Sequence, residues 1–285
     1  MENIHWYPGH MAKAKKAILN DLKLVDIVIE ILDARIPYSS KNPEIDIWSK
    51  KPKIVILNKV DMADEKSTAI WRKYFENKNP VILTNARGES SFKNITDIAE
   101  SIMKEKLEKL KSRGRIFKPI RAMIVGIPNV GKSTFINSYV NKYIAKVANK
   151  PGVTRNNQWI KINKSFELLD TPGMLAPKLT TETGGLNLAL TGAIGYTLDN
   201  YSLSIKLLEI LKKRYPKLLI ERYKLKNIEN TSINILNEIA NNRGFFIKGG
   251  DLDINRTSNM ILEELRSTKI GKITLELPND INQDL

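Results

Sequence analysis

Two short stretches carry residue types at spacings that do recognisable chemistry. An apolar run, KIVIL at 53–57, leads straight into Asn58-Lys59-Val60-Asp61. A carboxylate at Asp61 can accept two hydrogen bonds from the N1–H and 2-amino groups of guanine, a pair that adenine cannot present. A site built on such partners rejects analogues that lack them by several powers of ten. The second stretch, GIPNVGKST at 126–134, matches the spacing of a phosphate-binding loop with Gly126, Gly131, Lys132 and Ser133. Its glycines let backbone N–H groups curl around phosphates, Lys132 reaches the β- and γ-phosphates, and Ser133 can ligate Mg²⁺.

Further parts of such a site lie around these two. Asp170-Thr171-Pro172-Gly173 follows the apolar run FELL, where a carboxylate at a strand end can hold Mg²⁺ and the Gly173 N–H can meet a γ-phosphate oxygen. Between the loop and that segment, KPGVTR supplies Thr154 as a second candidate metal ligand. Thr84-Asn85-Ala86 follows another apolar run and is placed to read guanine O6 through the Ala86 backbone. The expected nucleotide contacts are therefore Asn58, Lys59, Asp61, Thr84, Asn85, Ala86, Asn129, Val130, Gly131, Lys132, Ser133, Thr134, Thr154 and Gly173. Ser133, Thr154 and Asp170 are the expected metal ligands. GTP or GDP with Mg²⁺ is the implied ligand set, with K⁺ near Asn129 as a further candidate cofactor.

The order of these parts is unusual. The base-reading residues precede the phosphate loop, as though an ordinary nucleotide-binding sheet had been cut after DTPG and rejoined through 87–120. Compact domains tolerate such circular permutation because their termini usually lie close together. Position 174, where a water-orienting glutamine follows DxxG in many GTP-hydrolysing enzymes, is Met174, so another group must position the nucleophile.

The elements that must position these residues can be read from hydrophobic periodicity. Near-continuous Ile, Val and Leu runs at 24–32, 53–57, 80–84 and 121–125 predict parallel strands buried on both faces. Amphipathic patterns predict helices over 64–77, 92–112, 132–142 and 185–198, and 157–163 with 165–169 reads as a hairpin. Beyond about residue 200 the texture changes to helices alone, at 202–214, 216–225, 231–242 and 254–268. The expected fold is α/β, with a permuted phosphate-loop domain over 1–198 and a small α-helical domain over 199–285.

Composition narrows the partners. The 285 residues contain no cysteine and only two histidines, which excludes disulfides, thiolate metal sites and histidine-rich metal centres. A net charge of +15 favours a polyanionic partner. That charge is patchy: residues 104–121 hold eight cations against two anions, and 212–226 hold seven against one, with Tyr215 and Tyr223 interleaved. Solvated helix faces would account for either patch; so would contacts with RNA phosphates and bases. No apolar run approaches the ~18 residues of a membrane span, so a cytoplasmic protein without membrane attachment is expected.

WYPGHMAKAKK at 6–16, DARIPYSSKNP at 33–43, NKVD, GIPNVGKST, PGVTR, DTPG and LKKRYPKLLIERYKL, in this permuted order, resemble the circularly permuted ribosome-biogenesis GTPases of the RbgA (YlqF) type. The resemblance covers nearly the whole chain. It implies a GTPase acting in late maturation of the large ribosomal subunit, whose partners are the subunit precursor and its rRNA, with no DNA partner and a monomeric state. It also implies a catalytic role for His10, whereas the residues alone favour a cap or packing contact for the first helix behind the Pro8-Gly9 turn. Two other readings remain at this stage: a constitutive RNA-binding assembly factor that binds nucleotide without turnover, and a phosphate-loop enzyme acting on another substrate. For Arg35 the residues favour pairing with Asp33 over contact with phosphate or RNA.

Overall fold

The structure, a computed structural model, describes residues 16–85, 95–114, 118–144, 159–170, 182–194 and 199–281. Six strands form one mixed sheet: β1 (Ile27–Asp33), β2 (Lys53–Asn58), β3 (Val81–Thr84), β4 (Ile120–Val125), β5 (Trp159–Lys161) and β6 (Phe166–Asp170). Their spatial order is β3-β2-β1-β4-β6-β5, parallel throughout except for the antiparallel β5–β6 hairpin. The expected permutation is visible in this order. The strands that precede the base-reading residues, β1 to β3, make one half of the sheet, and those that precede the phosphate-binding residues make the other. The connection from edge strand β3 to β4 has to pass over β2 and β1, and helix α3 (Ile95–Ser112) lies on it.

β1 is buried at every position because both faces of the sheet are covered. Its one interior charge, Glu30, is paired with Lys53 Nζ at 2.7 Å. Burial raises the Glu30 pKa and Lys53 opposes that shift. Helices α1 (Pro43–Trp48), α2 (Glu65–Glu76) and α4 (Lys132–Ile144) complete the sheet region. Asp64 caps α2, its carboxylate accepting from Ser67 N at 2.7 Å. The single-turn-scale α1 escapes the periodicity argument. Its signal is local instead: Asn42 accepts from Glu44 N, and Pro43 occupies the first turn.

Further helices among the described residues are α5 (Glu182–Leu190), α6 (Asn200–Arg214), α7 (Pro216–Tyr223), α8 (Ser232–Asn242), α9 (Ile254–Arg266) and the short α10 (Pro278–Ile281). Asp199, where the texture of the sequence changes, caps α6 through Ser202 N. One apolar cluster continues from Ile29 and Ile124 of the sheet through Leu188 of α5 to Leu207, Ile235 and Ile261 of the helical region.

Residues 270–281 return to the sheet and lie as a strap beside the base-reading loop. Ile273 N donates to Met62 O, and Leu275 N donates to Arg35 O at 2.8 Å. Thr274 Oγ1 accepts from Asp64 N and donates to Ala34 O, while the Thr274 backbone exchanges two bonds with the Tyr215 hydroxyl. The carboxylate of Glu276, 6% exposed, accepts from Tyr38 N (2.5 Å), Ser39 N (2.8 Å), the Ser39 hydroxyl and Asn187 Nδ2 (2.9 Å). Its carbonyl takes the indole N–H of fully buried Trp71. Burial raises the Glu276 pKa and these donors lower it, the former prevailing.

Removing that carboxylate orphans several buried donors at once, at roughly 1–3 kcal/mol for each unsatisfied group after relaxation. Glu276→Ala should therefore lower the unfolding free energy by about 3 kcal/mol. The check is urea denaturation, where the midpoint should drop at an unchanged m-value.

Candidate nucleotide-binding site

In open α/β sheets ligands bind beyond the carboxyl ends of the strands, and the register shows what collects there. Asp33, Asn58 and Thr84 occupy one row across β1, β2 and β3. On the other half Asp170 pairs with Ile124, two residues before Gly126. A cleft of about 800 Å³ opens above these ends, lined among others by Asn58, Lys59, Asp61, Asn129, Lys132 and Ser133.

The two halves are tied by direct bonds. Asn58 Nδ2 donates to Val130 O at 2.7 Å, joining the base-reading loop to the phosphate loop. The approach is so close that a Cβ on Gly131 would stand 2.4 Å from Asn58 Nδ2, and Gly131 has φ +97°. Glycine is required there on both counts. Lys59, itself at φ +62°, sends its Nζ to Asn129 O (2.6 Å) and to Asp33 Oδ2 (2.8 Å).

Asp33 is also gripped by Arg35, whose Nε and Nη2 reach the two carboxylate oxygens at 3.0 and 2.8 Å. The structural pairing expected for Arg35 is thus present, and its side chain still lines the cleft. Burial would push the Asp33 pKa up, but the Arg35 guanidinium and Lys59 pull it down to about 2.

At the phosphate end Lys132 Nζ is folded onto Gly126 O (2.9 Å) and Ile127 O (3.0 Å). These contacts hold an ammonium where loop carbonyls and an incoming phosphate can compete for it. Ser133 and Thr134 are exposed in the cleft in the first turn of α4. A hydroxyl at that turn beside a strand ending in Asp170 fits a hard cation taking oxygen ligands. Among the described residues no group of three or more His, Cys, Asp or Glu side chains gathers into a metal site.

Two expected contacts are placed behind the wall. Thr84 is buried, and its carbonyl accepts from Val60 N. The Val130 side chain is buried as well, with only its carbonyl serving Asn58. Asn85 does reach the cleft. Ala86, His10, Thr154 and Gly173 lie outside the described residues, as does the side chain of Asp170.

Other residues of the wall come from far along the chain: Thr191 after α5, and Arg266, Ser267 and Thr268 at the end of α9. Arg266 donates through Nε and Nη2 to Leu190 O and Ala189 O, capping the carbonyl end of α5. Gly192 O in turn accepts from Asn129 Nδ2 at 3.0 Å. The phosphate loop and α9 are therefore bridged by residues 189–192. No motif marks these positions, because each acquires its place only when the helical region packs against α5.

A family model described as "50S ribosome-binding GTPase" matches residues 121–241. It begins at β4 and so leaves the base-reading residues upstream, as the permuted order requires. The chain is 45% identical to "Ribosome biogenesis GTPase A" of Bacillus cereus, over 99% of this chain and 96% of that protein. It is 33% identical to the protein of the same name from Thermotoga maritima, over 97% and 95%. The chain belongs to the ribosome biogenesis GTPase A family. Among solved structures, GDP-bound TM YlqF superposes with a TM-score of 0.61 at 29% identity, covering 93% of this chain and all of that one. GNP-bound YlqF from T. maritima gives 0.61 at 28%. The resemblance carried by WYPGHM, DARIP and the motif order thus holds for the full chain, and so does the permuted α/β fold with its helical C-terminal part.

For this family member two outcomes test the cleft. Gly131→Ala should drive a methyl into Asn58 and weaken GDP binding by roughly tenfold or more, about 1.4 kcal/mol, measured by fluorescent-nucleotide titration. Because the folded pKa of Asp33 lies below its unfolded value, the stabilisation it gives is complete above about pH 4. It is lost as pH falls toward 2, and amounts to about 2 kcal/mol. Asp33→Asn should therefore flatten that part of the stability–pH profile.

Proposed function

We propose that this family member is a GTP-hydrolysing assembly factor of the large ribosomal subunit, whose nucleotide state switches its affinity for the subunit precursor and its rRNA. The single observation that carries this reading is the bond from Asn58 to Val130 O, which joins a guanine-reading loop to a phosphate loop in one cleft. A nucleotide bound there has its base beside Asp61 and its phosphates at the Lys132 loop. Asp61 excludes adenine, while Lys132 and the N-terminus of α4 hold the phosphates. Ser133, Thr154 and Asp170 would be the residues to hold Mg²⁺, which would neutralise developing phosphate charge. Switching of this kind would have a bound triphosphate held through Thr154 and Gly173 and that hold lost on hydrolysis. With methionine at position 174, His10 is the residue we assign to positioning the attacking water.

Further parts of this proposal are a cytoplasmic, monomeric protein without a DNA partner, and a division into a GTPase unit over 1–198 and an RNA-facing unit over 199–285. In support of a soluble setting, no described helix is long and apolar enough to cross a membrane. Asn129 donates to Gly192 O through Nδ2, which leaves its oxygen as the atom that a K⁺ ion beside the phosphates would take.

The test is GTP hydrolysis with and without purified large subunits, comparing wild type with His10→Ala. Stimulation by subunits and its loss in the variant, by roughly 100-fold or more, are expected. Absence of stimulation in the wild type would remove the ribosomal role; stimulation untouched by the substitution would remove His10 alone. Replacing K⁺ by Na⁺ at matched ionic strength should slow turnover, and equal rates would discard the K⁺ site.

A further inference from the structure

The strands of the sheet are parallel apart from β5, so β1, β2 and β3 present their amino ends together, one strand length or about 20 Å from the nucleotide cleft. Two concavities adjoin at that edge. The first, about 400 Å³, lies between α1 and α2 and is walled by Lys41, Lys50, Lys51, Lys53 and Lys78. The second, about 580 Å³, lies under α3 and is walled by the same Lys50 and Lys51 together with Lys106, Lys109 and Arg113. The α3 cations belong to the basic 104–121 stretch that nucleotide chemistry does not use. Folding brings that stretch against lysines more than 50 residues earlier in the chain.

Together the walls carry eight cations and three carboxylates, Asp26, Asp46 and Glu105. Lys41 and Lys53 share Asp46, and Lys106 pairs with Asp26. Lys50, Lys78, Lys109 and Arg113 are exposed and make no ion pair among the described residues. Lys51 is bonded to Val25 O, and partial burial together with the nearby charge of Lys106 lowers its pKa. Uncompensated positive charge lining a concave surface focuses field and attracts polyanions. At the rim of the first concavity Tyr74 stands 43% exposed, where a ring can stack on an unpaired base.

We propose that this paired basic groove, at the sheet edge opposite the nucleotide, is a docking surface for the phosphodiester backbone of RNA. The proposal rests on the reading of the protein as a ribosomal assembly factor and places a second RNA contact on the GTPase unit itself, separate from the helical region. A concave groove suits a ridge of phosphates better than a flat bilayer, for which an apolar face would be needed beside the charge.

The experiment compares wild type with a Lys50→Glu/Lys78→Glu/Lys109→Glu variant, and with the corresponding triple alanine variant, on full-length protein. The probes are a 20-base-pair RNA duplex, a DNA duplex of the same length, purified large subunits, and phosphatidylcholine vesicles containing phosphatidylserine. RNA affinity should fall roughly tenfold or more in the glutamate variant and less in the alanine variant. The slope of log affinity against log salt should shrink by about 2–3 for three lost phosphate contacts. GDP affinity should be unchanged. Equal RNA affinity and slope in all three proteins would overturn the proposal. So would equal loss on RNA and DNA, which would make the groove a generic polyanion surface, or vesicle binding in place of RNA binding. Loss of subunit binding with RNA affinity intact would assign the face to a protein partner and overturn it as well. If wild type ignores subunits, the ribosomal reading fails separately, and the RNA-duplex comparison still decides the groove.

Discussion

One buried carboxylate holds the working end of this protein together. Asp33 closes the central strand β1, and its two oxygens are taken by Arg35 in the following turn and by Lys59 of the base-reading loop. Lys59 passes the connection to the phosphate loop through Asn129 O. Two cations on one anion, 4% exposed, is a costly arrangement unless every donor is satisfied. Its stability follows from geometry: the Arg35 fork meets the carboxylate edge-on, and Lys59 spans from that carboxylate to a backbone carbonyl. Once formed, it ties the 58–61 loop to the 126–131 loop.

Permutation leaves that geometry intact and changes only which chain segments are covalent neighbours. The guanine side is built first, the connection carrying α3 crosses the sheet, and the phosphate side follows. The consequence is that the segment after DTPG leads into α5 and the helical region. α5 ends on carbonyls held by Arg266, and the turn after it holds Asn129. The strap at 270–281 adds a second connection on the guanine side, through Thr274 to Asp64 and through Ile273 to Met62. The helical region is thus wired to both ends of the cleft.

Much of the fold was legible because strands and helices here follow their own periods. The apolar runs at 53–57 and 121–125 became β2 and β4 within a residue, and Pro216 marked the start of α7. The cleft was legible where chemistry dictates residue type over a few positions, as in Gly131, Lys132 and Asp61. Thr84 and Val130 were assigned by neighbourhood to a motif, and both are buried. α1 was too short to show a period, and the KITLEL alternation at 272–277 marks no strand of the sheet, because this segment bonds to turns and side chains of other segments instead of to a neighbouring strand.

The sequence by itself determined which residue types meet in the cleft, since Asn58 to Asp61 and Gly126 to Thr134 are written in consecutive residues. It also determined the permutation, which is a statement about order alone. The tertiary structure decided what surrounds that chemistry: Arg266 at the cleft, Glu276 beneath the 37–40 turn, and the lysines that flank α1 gathered with those of β2 and α3 at the opposite edge. These placements arise from packing between segments up to about 240 residues apart, such as Glu276 on Tyr38 and Ser39. Contacts of that kind leave no spacing in the chain to read, because the two partners share only a position in space.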